Sequence, residues 1–179
     1  YKKVVMKKIF FALFCAAMFA VSAQAQTVKL SFRSADDMKS AWPFSEKKFA
    51  REPAVTEATM TLKNTNYKFE FESESAMYLN SKFGFMFGGA AGNYLKLPAI
   101  KGKTLTKVSI KFGGQGAVGK LAVTDEKGTV YEGGKAVVSP ALDHVHTWEV
   151  SGVKKGKSAY LTLTADSIVK MKELILEYK

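Results

Sequence analysis

The feature that most constrains this chain is an alternation of apolar and polar side chains that recurs along nearly its whole length. Val28, Leu30 and Phe32 are interleaved with Lys29, Ser31 and Arg33. Tyr67, Phe69 and Phe71 are interleaved with Lys68, Glu70 and Glu72, and Val108, Ile110 and Phe112 with Lys107, Ser109 and Lys111. Shorter runs of the same kind centre on Met60 and Leu62, Leu95 and Leu97, Leu121 and Val123, Leu161 and Leu163, and on Leu174, Leu176 and Tyr178. Successive side chains of an extended strand point to opposite sides, so each run predicts a strand with one dry and one wet face. Strands of this kind bury their dry faces by packing sheet on sheet. The pattern therefore predicts an all-β fold, an antiparallel β-sandwich. A parallel sheet would need amphipathic helices between its strands, and no segment here is long enough to supply them.

Turn residues separate the runs: Asn64-Thr65-Asn66, Lys101-Gly102-Lys103, Gly113-Gly114, Glu126-Lys127-Gly128, Gly133-Gly134 and Lys155-Gly156-Lys157. Each is read as a tight, hairpin-like connection. One short helical turn is predicted over residues 35–41. Ser34 can cap its start, Asp36 and Asp37 suit the positive end of its dipole, and Pro43 stops it. No repeat or long linker falls after residue 26, so residues 26–179 are expected to form a single domain.

The first segment is set apart from that domain. Met6-Lys7-Lys8 is a basic start and Ile9 to Val21 is apolar but short for a membrane-crossing helix. Ser22-Ala23-Gln24-Ala25-Gln26 then offers small residues in an Ala-x-Ala pattern. Together these make a secretory signal peptide over residues 1–25, cut after Ala25, with Met6 as the expected initiator. Export to the periplasm, the cell surface or the medium is expected, with no membrane span left after cleavage. A lipoprotein reading through Cys15 fails, because Ala12-Leu13-Phe14 lacks a small residue next to the cysteine.

Composition narrows the chemistry. Of 179 residues, 47% are apolar and 24% charged, the balance of a chain that can bury a core rather than stay disordered. Cys15 is the one cysteine and leaves with the leader, so neither a disulfide scaffold nor a thiolate zinc cluster is available. The formal net charge is +11, but it is carried by lysines spread singly over outward strand positions and turns. The arginines are Arg33 and Arg51. Nucleic-acid readers favour the arginine fork, so no nucleic-acid partner is expected, and the lysines read as a solubility pattern. Lys154, Lys155 and Lys157 form the densest cluster and fit a solvated turn.

A resemblance joins these observations. Tyr94-Leu95-Lys96-Leu97-Pro98 through Val108-Ser109-Ile110, then His146-Thr147-Trp148-Glu149-Val150-Ser151-Gly152, then Ile168 to Tyr178, resemble the central and closing strands of galactose-binding-like jelly-roll modules of secreted bacterial proteins. The likeness spans roughly residues 94 to 178 and consists of core and turn positions. It implies a jelly-roll form of the sandwich. It also implies the company of polysaccharide-degrading enzymes, a sugar ligand in some members, and a structural calcium in others. Asp36, Asp37 and Asp166 are the calcium candidates by that resemblance alone. No binding residue transfers by motif, and neither cofactor nor metal is assigned.

Among residues that can carry function, Trp42-Pro43-Phe44 stands first: two large aromatics beside a proline in a polar stretch can stack on the apolar face of a pyranose, or else plug one end of the sandwich. Phe83, Phe85 and Phe87 share a strand face and lead into Gly88-Gly89-Ala90-Ala91-Gly92-Asn93-Tyr94. That segment is either a plain hairpin or a mobile rim loop presenting Asn93 and Tyr94 to a ligand. No Gly-Lys-Ser/Thr follows the glycines, so they are not a phosphate cradle. His144, His146 and Trp148 face one way on a strand, but a metal site needs a further ligand and Asp143 is the one at hand. With Trp148 and Val150 facing inward, His146 reads as a partly buried strand residue. Glu70 and Glu72 are same-face neighbours about 7 Å apart, near the spacing of an inverting glycosidase pair. They lie beside Lys68 on a wet face, where nothing keeps one carboxyl protonated. The sequence therefore supports a secreted, non-catalytic module that binds carbohydrate or a cell-surface polymer through Trp42, Phe44, Asn93 and Tyr94. The alternative is a structural or protein-interaction module of a cell-surface assembly with no sugar site.

Overall fold

The computed structural model describes residues 25–32, 57–61, 65–73, 78–80, 83–113, 120–138 and 143–179. They form two antiparallel sheets, and among them there is no helix. The stretch expected to hold the helical turn, residues 35–41, lies outside the described residues, as do residues 1–24 of the expected leader.

The first sheet contains β1 (Gln26–Ser31), β4 (Tyr78–Asn80), β5 (Gly84–Gly89), β7 (Leu105–Phe112), β10 (Val145–Glu149) and β12 (Ser167–Tyr178), in the order β10-β7-β12-β5-β4 with β1 also paired to β12. The second contains β2 (Glu57–Thr61), β3 (Lys68–Glu72), β6 (Tyr94–Lys96), β8 (Lys120–Thr124), β9 (Val137–Val138) and β11 (Tyr160–Leu163), in the order β2-β3-β6-β11-β8-β9. β12 organises its sheet. β7 runs along one side of it, while β5 and β1 share the other, β5 on Ser167–Met171 and β1 on Glu173–Tyr178.

The two-residue beat explains what is buried. Val28, Leu30, Phe32, Phe69, Phe71, Leu95, Leu97, Val108, Ile110 and Phe112 are all buried, and so are the inward residues of β8, β11 and β12. They form one hydrophobic core fed by both sheets. Phe85 of β5 joins the layers: its ring meets Phe32 of the first sheet and Phe71 of the second, each with centroids 5.2 Å apart. A buried polar contact does the same beside them. Ser73, just past β3, donates through Oγ to the Gly88 carbonyl at 2.5 Å and accepts the Gly88 N–H at 3.1 Å. In β12 the beat changes phase. Val169 and Met171 are buried, then Leu174, Leu176 and Tyr178. The register against β7 shifts between Met171 and Glu173. One extra residue in a strand turns every later side chain to the other face, so this bulge keeps the apolar residues on both sides of it in the core. At the far end the buried Tyr178 hydroxyl donates to the Pro98 carbonyl at 2.7 Å, and burial pushes its pKa well up.

Several connections differ from the hairpins expected. Asn64-Thr65-Asn66 does join paired strands, β2 and β3. The Gly88–Asn93 segment instead carries the chain from the first sheet to the second, Lys101-Gly102-Lys103 returns it to the first, and Lys155-Gly156-Lys157 lies on the way from β10 to β11. Turn residues mark where a chain reverses; which sheet the next strand joins depends on packing that local sequence does not encode.

Candidate functional site

β6 and β11 are neighbours in the middle of the second sheet, and alternation divides their residues cleanly. Leu95, Leu161 and Leu163 enter the core, leaving Tyr94, Lys96, Tyr160 and Thr162 half-buried on the outer face. The register sets Lys96 opposite Tyr160 and Thr162 opposite Tyr94. The two tyrosines are therefore diagonal neighbours, and their rings meet edge to face, centroids 5.2 Å apart and planes at 82°. Such a pair holds both rings in place, at about 0.5–1.5 kcal/mol beyond the area it buries.

β3 flanks β6 on its other side and sets Glu70 opposite Lys96 and Glu72 opposite Tyr94. Lys96 Nζ donates to Glu70 Oε2 at 2.6 Å, and that hydrogen bond raises the lysine pKa against the opposing effect of burial. Glu72 lies opposite Tyr94 across the strand pair; burial first, and then the Glu72 carboxylate, raise the phenol's pKa. Tyr94 is thus a neutral phenol and Lys96 a cation at neutral pH.

A third tyrosine arrives from an irregular arm. Past β8, Asp125 Oδ1 accepts the N–H groups of Lys127 at 2.9 Å and Thr129 at 2.8 Å, a local turn that lowers its pKa chiefly through the Thr129 bond. The chain then folds back so that Tyr131 N–H donates to the Val123 carbonyl at 3.0 Å, and the Tyr131 carbonyl accepts from Gly134 at 2.9 Å. Tyr131 is half-buried against the core. Burial, followed by Asp125 and Glu126, raises its pKa. Lys96, Tyr131 and Tyr160 line an open cavity of ≈ 560 Å³, with Asp125 and Glu126 on the arm and Lys154 and Lys157 on the turn before β11. Aromatic rings bordered by carboxylates and ammonium groups suit a sugar, whose ring faces are apolar and whose edges carry hydroxyls.

Of the residues singled out in the sequence, Tyr94 belongs to this face. Asn93 does not: at 4% exposure it is buried. Its N–H donates to the Ala90 carbonyl at 3.2 Å and its carbonyl accepts the Leu163 N–H at 2.9 Å. Its place is to fix the entry into β6 behind Tyr94. The loop before it is tied rather than loose, since Gly92 N–H donates to the Leu163 carbonyl at 2.8 Å and Ala91 N–H to Asp166 Oδ1 at 3.0 Å. That Asp166 contact accounts for one calcium candidate. Trp42, Phe44, Asp36 and Asp37 lie outside the described residues.

Glu70 and Glu72 sit on the outer face as expected, each engaged by a neighbour, and neither is isolated from water as a catalytic acid must be. Phe85 is a core residue, whereas Phe83 precedes β5 half-buried, with Lys170 Nζ 4.5 Å from its ring centroid. His146 is half-buried with its ring edge-on to Trp148, centroids 4.4 Å apart. Trp148 is buried and its Nε1–H donates to the Lys135 carbonyl at 3.0 Å. Asp143 pairs with Lys172 at 2.9 Å and Lys111 at 3.6 Å. Among the described residues, no three of His, Cys, Asp and Glu gather around a point.

Tyr131 and Tyr160 were missed in the sequence. Tyr160 carried a usable signal: it is an aromatic on the wet phase of a strand, where a polar residue is usual. Tyr131 lies in a segment without periodicity and carried none.

No family model matches the chain, and no curated protein matches it. Among solved structures it is similar to a chain described as "BiXyn10A CBM1 APO", with 11% sequence identity and a TM-score of 0.34, over 85% of this chain and 97% of that one. A likeness this distant does not say what this chain binds.

Proposed function

We propose that this protein is an exported, non-catalytic β-sandwich module of jelly-roll type that binds carbohydrate on the outer face of its second sheet. The observation behind this reading is the cluster of Tyr94, Tyr131 and Tyr160 on one side of that sheet, bordered by Glu70, Glu72 and Lys96. Half-exposed rings offer a stacking surface for a pyranose, and the edge-to-face contact between Tyr94 and Tyr160 pre-orients them, which lowers the ordering cost of binding. Neighbouring carboxylates accept from sugar hydroxyls, and Lys96 donates. Trp42 and Phe44 remain in the proposal as a second aromatic contact.

Among the described residues, the carboxylates of this face are open to water or engaged by neighbouring groups rather than enclosed as an opposed pair, and for that reason the reading is binding rather than hydrolysis. The test is affinity electrophoresis of the exported domain through gels containing single polysaccharides, with Tyr160→Ala and Trp42→Ala alongside. Retardation by at least one polysaccharide that Tyr160→Ala relieves, in a variant with an unchanged circular dichroism spectrum, supports the reading. No retardation by any glycan, or retardation indifferent to Tyr160, overturns it.

A further inference from the structure

The cavity beside Tyr131 and Tyr160 has two unlike rims. β11 lies between β6 and β8 in the sheet, so Tyr160 is flanked by the segments that leave those two strands. On the β8 side are Asp125 and Glu126, in the turn that β8 runs into. Asp125 Oδ1 is occupied by two backbone N–H groups, while the Glu126 carboxylate has no partner among the described residues. The turn of Lys154–Lys157 is closed by Lys157 N–H donating to the Lys154 carbonyl at 3.0 Å. It is anchored toward the β6 side, where Gly156 N–H donates to the carbonyl of Lys103, in the segment leaving β6, at 2.7 Å. Both lysines are exposed and line the cavity, and neither ammonium has an ion-pair partner among the described residues. Lys96, on the same cavity, is by contrast paired with Glu70, so Lys154 and Lys157 are the cavity's ammonium groups left to a ligand.

We infer that the cavity recognises an acidic sugar, a pyranose carrying a carboxylate or sulfate, with the anionic group at Lys154 and Lys157, the ring against Tyr160 and Tyr131, and hydroxyls turned to Glu126. This inference rests on the carbohydrate reading and names its ligand class. A neutral sugar would use the tyrosines and carboxylates but leave the two ammonium groups to water alone. An acidic sugar satisfies both rims, because its charge and its hydroxyls lie on different edges of the ring. Without Lys2, Lys3, Lys7 and Lys8 of the leader, the exported chain keeps a formal charge of +7, which would also draw a polyanion to the surface before contact.

The experiment titrates the domain by calorimetry with oligogalacturonate, a sulfated galactan oligosaccharide and a neutral galactan oligosaccharide. The variants are Lys154→Gln/Lys157→Gln and Tyr160→Ala. The inference expects tighter binding to at least one acidic oligomer than to the neutral one. It expects the double lysine variant to lose about three- to tenfold in affinity for the acidic oligomer and none for the neutral one. Whether the carboxylate or the sulfate oligomer responds tells which group the lysines hold. Equal or better binding of the neutral oligomer, or a double variant that binds acidic oligomers as well as the parent, overturns the inference and leaves the carbohydrate reading standing. Failure of every oligomer to bind, or indifference to Tyr160→Ala, overturns both.

Discussion

Alternation places a few aromatic residues on the wrong side of their strands for burial. Tyr160 shares β11 with Leu161 and Leu163, and a tyrosine on the wet phase keeps much of its ring in reach of a ligand. Replacing it with alanine removes a stacking surface but no core contact. Glycan affinity is expected to fall roughly tenfold or more, with little change in melting temperature. A loss of binding accompanied by a large drop in melting temperature would contradict that division of labour. His146 behaves differently. Burial, and then the neighbouring His144, hold its pKa below the ordinary 6.5. The unfolded chain therefore binds the proton more readily than the folded one between the two values. Stability is full above about pH 6.5, falls as pH drops through that value, and levels off below the folded-state pKa. Melting curves from pH 8 to pH 5 should show that decline, and His146→Gln should flatten it. A decline of the same size in the variant would assign it to other groups. His146 and Trp148 were legible in the sequence because Val150 fixes their phase. Asn93 was not, since a polar residue beside glycines reads as exposed until the strand that covers it, β11, is in place.

Among the elements, β12 shows how far pattern reading reaches. Leu174, Leu176 and Tyr178 were readable as an alternating run, but Val169 and Met171 belong to the opposite phase, and the bulge between them reconciles the two. A sequence states both phases without stating that they share one strand. Strand existence and the dry faces were therefore legible, while sheet membership was not: the same turn signal that makes a hairpin of β2 and β3 also marks crossings between sheets. The glycines can be tested directly. Gly133 holds φ at +76° and a Cβ there would overlap the Glu149 carbonyl oxygen, whereas Gly128, at φ +80°, has open space around it. Gly128→Ala should cost about 1 kcal/mol, from the left-handed backbone alone. Gly133→Ala should cost distinctly more in denaturant unfolding, because the arm carrying Tyr131 must shift off β10. Equal costs would mean that the arm is not seated there. The Tyr131 arm was invisible in the sequence for a related reason: it is held by backbone bonds to Val123 and Ser151 rather than by a repeating side-chain pattern.

For the whole molecule, two sheets share one core and Phe85 touches both layers. Phe85→Ala should cost about 3–5 kcal/mol, and the loss should appear as a single cooperative transition rather than as melting of one sheet before the other. The site depends on the same arrangement, because Tyr94 and Tyr160 are distant in the chain and meet only when β6 and β11 pair. That juxtaposition could not be read from either segment alone. The excess of lysine, a solubility device over most of the surface, takes on a second meaning where Lys154 and Lys157 border a cavity. The measurement that bears most directly on the account is a nuclear magnetic resonance titration of the isotope-labelled domain with acidic and neutral oligosaccharides. Shifts are expected to concentrate at Tyr94, Lys96, Tyr131, Tyr160 and the 154–157 turn. Shifts confined to the outer face of the first sheet, or none with any oligosaccharide, would contradict it.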